Sequence, residues 1–523
     1  MNKKKKYSKI KNDWGKLKAE SFNFHLIERY FLNNNHAGKF QVITDKTMND
    51  IDFQELFMFI DRTNTKIGQQ YLYDKLLTID ANENFKEQEN LIDYCLKNEQ
   101  TRMKAQLLLS KLNNNEAYYI SSLFQDEYIK KPEWFWLIPI FSVINLLSLV
   151  LTFISPQFFP LLLLVLIISM LFHYWNKKNI YVYTDSIPQL TNLLNTTKEF
   201  LKDHFDESAG NSLKSLETQK KGMFIFSTES KMNSDIGQIV WFVLEYLKIF
   251  FLFEPIVLFI VLKKLDSKRN DIHALFKYIG RIDTAISIAS FRTGLNYFCK
   301  PDISTNHQTL NFEEIYHPLI VGCIANSLYV NGKSILLTGS NMSGKTTFIR
   351  TIAINVLCAQ TINTCFAKRF ALKPMQIYSA IRITDDLLDE KSYYFEEVRT
   401  IKEIIDASQT DCYKLFLLDE IFKGTNTVER IAAGKAVLSY IGKDKNITFV
   451  STHDIELTDL LGDAYELYHF TETIEDDSIY FDYKLKKGNL ATRNAIRILE
   501  LNNYPDEIID EAKKISKNII SSS

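Results

Sequence analysis

Residues 339–346 read GSNMSGKT, a string that satisfies G-x-x-x-x-G-K-[ST]. SILLT before it is an apolar run of strand length, and TTFIRTIAINVLCAQ after it has the length and composition of a helix. In a strand, loop and helix arranged this way, glycines let backbone N–H groups close around phosphate oxygens. The nucleotide-binding candidates are therefore Gly339, Ser340, Asn341, Met342, Ser343, Gly344, Lys345, Thr346 and Thr347. Lys345 is placed to reach the β and γ oxygens of ATP, and Thr346 to ligate Mg²⁺. Farther on, KLFLLDEIFKGTNT begins as an apolar strand that delivers Asp419 and Glu420 at its C-terminal edge. Asp419 is the candidate second holder of Mg²⁺, and Glu420 the base that polarises an attacking water. A third strand, NITFVSTHD, ends at His453, whose imidazole could sense the γ-phosphate or orient that water.

A different chemistry occupies the middle of the chain. Between Glu133 and Lys177 there is no Asp, Glu, Lys or Arg, and the run divides around SPQ into 134–154 and 158–175. At a rise of about 1.5 Å per residue, each half is about long enough for a hydrocarbon core of roughly 30 Å. Trp134, Trp136, Tyr174 and Trp175 stand at the outer ends, where amphipathic rings favour the headgroup layer. Lys130 and Lys131 precede the first half and Lys177 and Lys178 follow the second. The positive-inside rule then puts both flanks in the cytoplasm, and with them both termini and the nucleotide site, on a chain integral to the cytoplasmic (inner) membrane. A third apolar stretch, 239–265, is interrupted by Glu245, Lys248, Glu254 and Pro255, each charge being expensive at mid-bilayer. It reads as one apolar helix, interfacial or packed beside the hairpin, in preference to a third span.

Bulk properties bound the remaining choices. A chain of 523 residues is too long for a single core, and its formal charge of −1 argues against a globally basic nucleic-acid binder while leaving room for a local basic groove. The six cysteines show no CxxC or Cys/His ligand spacing, so no metal cluster and no disulfide framework is expected. MNKKKKYSKIKNDWGK at the start is basic but lacks the apolar core of a secretory signal, and reads as a solvated tail.

Taken together, these motifs resemble the MutS family of mismatch-repair ATPases. TGSNMSGKTTFIRT is similar to that family's TGPNMGGKST-type loop, including the Asn341-Met342 pair, and DEIFKGTNT to its DEIGRGTST. DDLLDEKSYYFEEV has the spacing of DDLxxGxSTFxxEM, which makes Ser392 the signature serine and Glu397 its helix glutamate. STHDIEL is similar to TTHxxEL, with His453 as the histidine. Residues 482–515 look like the closing stretch, where a Lys-Leu-x-x-Gly strand leads to a terminal dimer helix. FIDRTNTKIGQQYLYDKLL, at 59–77, and RIDTAISIASFRTGLNYFCKPDI look like the start and return of the family's helical core and lever.

The resemblance implies an α/β P-loop NTPase domain of the ABC type, preceded by an α-helical core and lever domain into which the transmembrane hairpin is inserted. The expected boundaries are 1–130 for the tail and first part of the lever, 131–178 for the hairpin, 179–300 for the rest of the lever, and 301–523 for the ATPase domain. It also implies a homodimer in which Ser392 reaches the partner's γ-phosphate. Departures matter as well. About fifty residues precede the core segment, too few for the family's mismatch-reading domains, and the hairpin stands about where the family inserts its DNA clamp. Ser343 replaces a loop glycine, Ser340 a proline, and Cys323 stands where related sequences often carry a base-stacking aromatic. TRNAI, at 492–496, departs from the family's SYGI-like pattern. The implied function is a membrane-anchored, ATP-hydrolysing dimer coupled to DNA binding or mismatch-repair-related work, with contacts to membrane lipid. The alternative is an ATP-driven membrane switch or transport accessory without DNA.

Overall fold

The computed structural model describes residues 3–202, 208–220, 223, 245–304, 310–330, 332–340, 342–382, 393–443, 445–475, 478–489, 495–501 and 504–522. Its chain divides into two compact units, one of residues 1–37, 60–75 and 84–295, the other of 38–59, 76–83 and 296–523.

In the described residues the first unit is helical. Helix α1 (Leu137–Ile154) ends where Ser155 turns extended, and Pro156, which cannot continue a helical ladder, opens the short turn to α2 (Phe159–Lys202). Residues 133–154 and 156–178 are long and apolar enough to cross a membrane, and only 17% and 22% of their apolar windows are buried. A core helix of a water-soluble domain would be mostly buried, so the low figures leave two apolar surfaces in need of a cover. Helix α2 runs unbroken for 44 residues, about 66 Å at helical rise, and carries Pro188 within it. Its first part exposes Leu163, Leu164, Ile167 and Leu171, whereas its second part buries Ile187, Leu190, Leu194 and Phe200 in the unit's core. One continuous helix therefore belongs to both the apolar hairpin and the packed helical body.

In place of the single helix expected over 239–265, the described part forms two. Helix α3 (245–251) ends at Leu252, which takes a left-handed φ of 46°, and α4 (Phe253–Asp266) follows. Residues 239–244 lie outside the described residues.

The core of this unit is organised by α5 (Arg269–Thr293), almost wholly buried along its second half. Here the structure explains the DRTNTKIG string. Buried Asp283 of α5 accepts hydrogen bonds from the backbone N–H of Asn64 (2.8 Å) and Thr65 (2.8 Å) and from Thr65 Oγ1 (2.7 Å), which caps the helix Lys66–Leu77. Asp61 accepts from Lys18 Nζ (2.8 Å), Thr63 Oγ1 (2.6 Å) and Gln69 Nε2 (2.8 Å). Burial works to raise the Asp61 carboxyl, but the Lys18 ammonium and these donors outweigh it and hold the group below its ordinary range. Gly68 is required by close approach: a Cβ there would sit 2.2 Å from Asp283 Oδ2. Gly68→Ala is expected to destabilise the protein by about 1–3 kcal/mol through overpacking against a buried carboxylate, read as a lowered urea midpoint. An unchanged midpoint would mean that this contact is not close.

The second unit is built on a sheet of six strands. In chain order the elements that matter for the site are β1 (Leu310–Ile315), β2 (Asn326–Val330), β3 (Ser334–Thr338), α6 (Lys345–Ile362), β4 (Arg369–Leu372), β5 (Gln376–Ala380), α7 (Tyr393–Ser408), β6 (Lys414–Asp419), α8 (Thr427–Ile441), β7 (Asn446–Ser451), β8 (Tyr465–His469), β9 (Lys486–Lys487) and α9 (Asp506–Ser522). The main sheet has the order β9-β8-β3-β7-β6-β5, parallel except for β9. Buried on both faces, β3, β6 and β7 read as the continuous apolar runs SILLT, KLFLLD and NITFVS. A smaller sheet joins Asp302–Ile303, β4, β1 and β2.

Residues 38–59 and 76–83, which chain order groups with the lever, pack into this second unit. The Gln41 side chain exchanges two hydrogen bonds of 2.7 Å with the backbone of Ile377, completing an edge of β5. Asp50, fully buried, accepts from Ser379 Oγ (2.7 Å) and from the backbone N–H groups of Ile381 (3.0 Å) and Arg382 (2.8 Å). Such buried polar pairs specify where these segments dock, because an unpaired Asp50 would be costly.

Candidate nucleotide site

The site forms at the C-terminal edge of β3, β6 and β7, which lie side by side in the sheet. Parallel strands delivered by crossover helices bring their carboxyl ends to one edge, and that edge is where open α/β sheets bind ligands. The loop after β3 turns sharply: Gly339 and Gly344 have φ of 144° and 99°, values that side-chain-bearing residues rarely adopt. Space is also restricted at Gly339, where a Cβ would lie 2.7 Å from the Phe470 carbonyl.

Lys345 is 3% exposed and donates from Nζ to the carbonyls of Gly339 (2.7 Å) and Ser340 (2.9 Å). Burial lowers its pKa, opposed by the charges of Glu420 and Asp419. Ser343, the residue in place of a glycine, donates from Oγ to the Ser340 carbonyl at 2.7 Å and so closes the loop on itself. Ser340 Oγ donates to Glu472 Oε2 at 3.0 Å. Met342 is 73% exposed, while Asn341 lies outside the described residues.

Thr346 Oγ1 donates to Asp419 Oδ2 at 2.6 Å, and Ser451 Oγ donates to Asp419 Oδ1. This is an oxygen-only donor set, the type that a hard divalent cation such as Mg²⁺ takes, so these residues fit that ion. Glu420 adopts φ of 50° just past β6, and its backbone N–H is held by the Ser451 carbonyl at 2.9 Å. The left-handed turn re-aims its side chain, whose two oxygens meet His453 Nε2 at 2.6 Å and Lys423 Nζ at 2.8 Å. Burial works to raise the Glu420 pKa, but hydrogen bonds and charge from His453 and Lys423 prevail and lower it to about 2.

Around these groups stand Lys423 and Arg430, which motif reading passed over, and Glu397, the helix glutamate of the motif. Lys423 could have been noticed as the basic residue three positions after Glu420. Arg430 on α8 holds Asp454, next to His453, by two hydrogen bonds of 2.9 and 2.6 Å. Glu397 on α7 is fully buried and accepts from the backbone N–H of Lys423 at 3.2 Å, fixing the loop that carries Lys423; burial raises its carboxyl. Ser392 lies outside the described residues.

Beside the loop is a cavity of ≈ 450 Å³ lined by Ile315, Ile320, Cys323, Thr347, Phe470 and Tyr483, among others. Its shape is held by Asn326, which donates to the Tyr483 carbonyl at 3.0 Å and accepts from Leu485 N–H at 2.8 Å. Tyr483 has φ of 51°, and a Cβ on Gly344 would meet its ring at 3.2 Å. An aromatic ring thus borders the cavity that Cys323 also lines, although it comes from a strand connection far along the chain.

Comparison with known proteins agrees with this geometry. Residues 335–520 match MutS domain V. Over its C-terminal half the chain is similar to the DNA mismatch repair protein MutS of Listeria monocytogenes serotype 4a (strain HCC23), 30% identical over 259 residues that make up 47% of this chain and 29% of that protein. MutS protein homolog 4 of Homo sapiens is 30% identical over 282 residues, 50% of this chain and 29% of that one. The DNA mismatch repair protein MutS of Fusobacterium nucleatum subsp. nucleatum is 28% identical over 273 residues, 49% and 30% respectively. The chain spans less than a third of the length of the curated relatives it matches.

Proposed function

We propose, from the premise that the C-terminal half carries a MutS domain V, that this protein is a membrane-anchored, dimeric, MutS-like ATPase working in DNA binding or mismatch-repair-related chemistry. The observation that carries the hydrolytic part is the convergence, at one sheet edge, of the Lys345 loop, the Thr346–Asp419 oxygen pair and the Glu420–His453 pair. A nucleotide gripper with no turnover has no use for the last pair.

In this reading Lys345 and the loop N–H groups grip the ATP phosphates, and the cavity beside Cys323 and Tyr483 takes the base. Thr346 and Asp419 would hold a Mg²⁺, which neutralises phosphate charge when bound. Glu420, kept ionised by its contacts with His453 and Lys423, accepts the proton of the attacking water through a lone pair those partners leave open. His453 orients both. Arg430 and Asp454 position His453, and Glu397 positions Lys423. Ser392, the residue before α7 in the sequence, supplies a hydroxyl to the γ-phosphate of a second copy, so each site is complete only in the dimer. The hydrolytic core of this reading is tested by phosphate release from the purified chain set against Glu420→Gln.

The hairpin of α1 and α2 anchors the protein, with Lys130, Lys131, Lys177 and Lys178 on the cytoplasmic side together with both termini and the ATPase domain. One observation favours a second reading, an ATP-driven membrane switch without DNA: α2 runs without a break from the hairpin into the helical core, so a rotation of that core would be passed to the membrane element as a rigid-body movement. Dependence of turnover on duplex DNA separates the two.

A further inference from the structure

On either side of the break at Leu252, α3 and α4 turn charge inward: Lys248 and Glu254 are 6% and 1% exposed, whereas Lys263, Lys264 and Asp266 at the far end of α4 face outward. Tyr246, Leu247 and Phe251 are outward at 70%, 40% and 37%. Buried charges are paired or pay several kcal/mol, and here each has partners on the hairpin or on the other limb. Glu245 Oε1 lies 3.0 Å from His173 Nε2 and is also paired with Lys177, both on α2. Lys248 Nζ lies 3.4 Å from Glu254 Oε1, across the break at Leu252. Glu254 Oε2 stands 3.8 Å from His173 Nδ1.

The contacts also fix depth along the hairpin. Glu245 is level with His173 and Lys177, near the end marked by the Trp134–Trp175 ring pair. Five residues on, the Phe250 carbonyl accepts from Asn145 Nδ2 at 2.9 Å, and the same amide donates to Ser169 Oγ at 2.7 Å. At helical rise Ser169 lies about 9 Å from Trp175 and Asn145 about 17 Å from Trp134, roughly a third to a half of the way through a hydrocarbon core of about 30 Å. The chain then breaks at Leu252 and returns, for Phe259 packs edge-on against Phe135 at 4.8 Å, back at the starting level. Irregular backbone at such depth is tolerated only where protein groups satisfy it, and Asn145 does so for the carbonyl beside the break.

We propose that residues 245–259 are a third membrane element, a re-entrant limb that descends from the cytoplasmic end of the hairpin to about mid-bilayer and returns. Its partner is lipid hydrocarbon, met by Tyr246, Leu247 and Phe251 as a continuation of the apolar surface that α1 and α2 expose. Its charged face, turned to His173 and Lys177, locks it to the hairpin. This inference rests on the hairpin spanning the bilayer.

The test places a photoreactive benzophenone amino acid at position 251, and separately at 246 as a second variant should one perturb folding, in the full chain reconstituted in phosphatidylcholine vesicles. Position 143 on the exposed face of α1 is the reference for the hairpin, and position 329 the aqueous control. Acyl-chain adducts, read by mass, at 251 or 246 as well as at 143, and their absence at 329, are the expected result. Adducts at 143 with none at 251 or 246 would overturn the limb and leave the hairpin standing. Cross-links from 251 and 246 to a second copy in place of lipid would overturn it too, assigning the face to a dimer. No lipid adduct at 143 would remove the hairpin reading and this inference together.

Discussion

Glu420→Gln is expected to lower ATP turnover by about 10²- to 10⁴-fold, the usual worth of a positioned general base, and to leave nucleotide binding nearly unchanged. The asymmetry follows from the geometry. Glu420 touches His453 and Lys423, whereas the groups proposed to grip phosphate are Lys345, held by the Gly339 and Ser340 carbonyls, and the loop N–H groups. Single-turnover phosphate release and a nucleotide titration on the same preparation separate the two effects. Retained turnover would remove Glu420 as the base. A pH signature accompanies it. Because the folded-state pKa of Glu420 is lowered to about 2, the group contributes stability that is complete above the ordinary carboxylate pKa and is lost as pH falls from there towards 2. The wild-type protein should therefore lose stability relative to Glu420→Gln across that acid window.

Lys345→Met acts on the other half of the chemistry. Removing one partner of a buried, charge-assisted contact costs about 2–5 kcal/mol, so the nucleotide Kd should rise about 30-fold or more. Turnover then falls through lost binding, and raised ATP concentration partly restores it, which Glu420→Gln does not allow. Methionine keeps most of the volume of a side chain that is 3% exposed, so a destabilised fold is not the expected cause. An unchanged titration curve would mean that the loop grips phosphate without its lysine.

The contrast between these residues and the ones missed shows what a sequence reveals. Lys345, Thr346, Asp419, Glu420 and His453 were legible because each follows an apolar run of strand length and sits at a motif-fixed spacing. The parallel sheet does the rest, bringing the ends of β3, β6 and β7 together. Tyr483, Asn326 and Arg430 carry no such local mark. They reach the site through loop closures and helix packing across long stretches of chain, and an exposed-looking tyrosine or a common arginine gives no sign of that. Asp50 and Gln41 were hidden for the same reason, since their partners Ser379, Arg382 and Ile377 lie more than 300 positions away. In the helical unit, Gly68 was visible in the motif, but its cause, the Asp283 carboxylate on α5, was not. The break at Leu252 is hidden more deeply, because leucine has no preference for positive φ. Only the interrupting charges hinted that 239–265 is not an ordinary helix.

The central claim joins a MutS-type ATPase to a membrane and to DNA. The most direct measurement is steady-state ATP hydrolysis by the detergent-purified chain, with and without duplex DNA, across a salt series, with Glu420→Gln as the blank. Binding through phosphate contacts weakens steeply with salt, because releasing counterions into a more concentrated solution gains less free energy. The account predicts hydrolysis that DNA stimulates at low salt, a stimulation that fades as salt rises. Robust hydrolysis indifferent to DNA at every salt concentration would contradict it and leave the membrane hairpin as the destination of the ATP cycle.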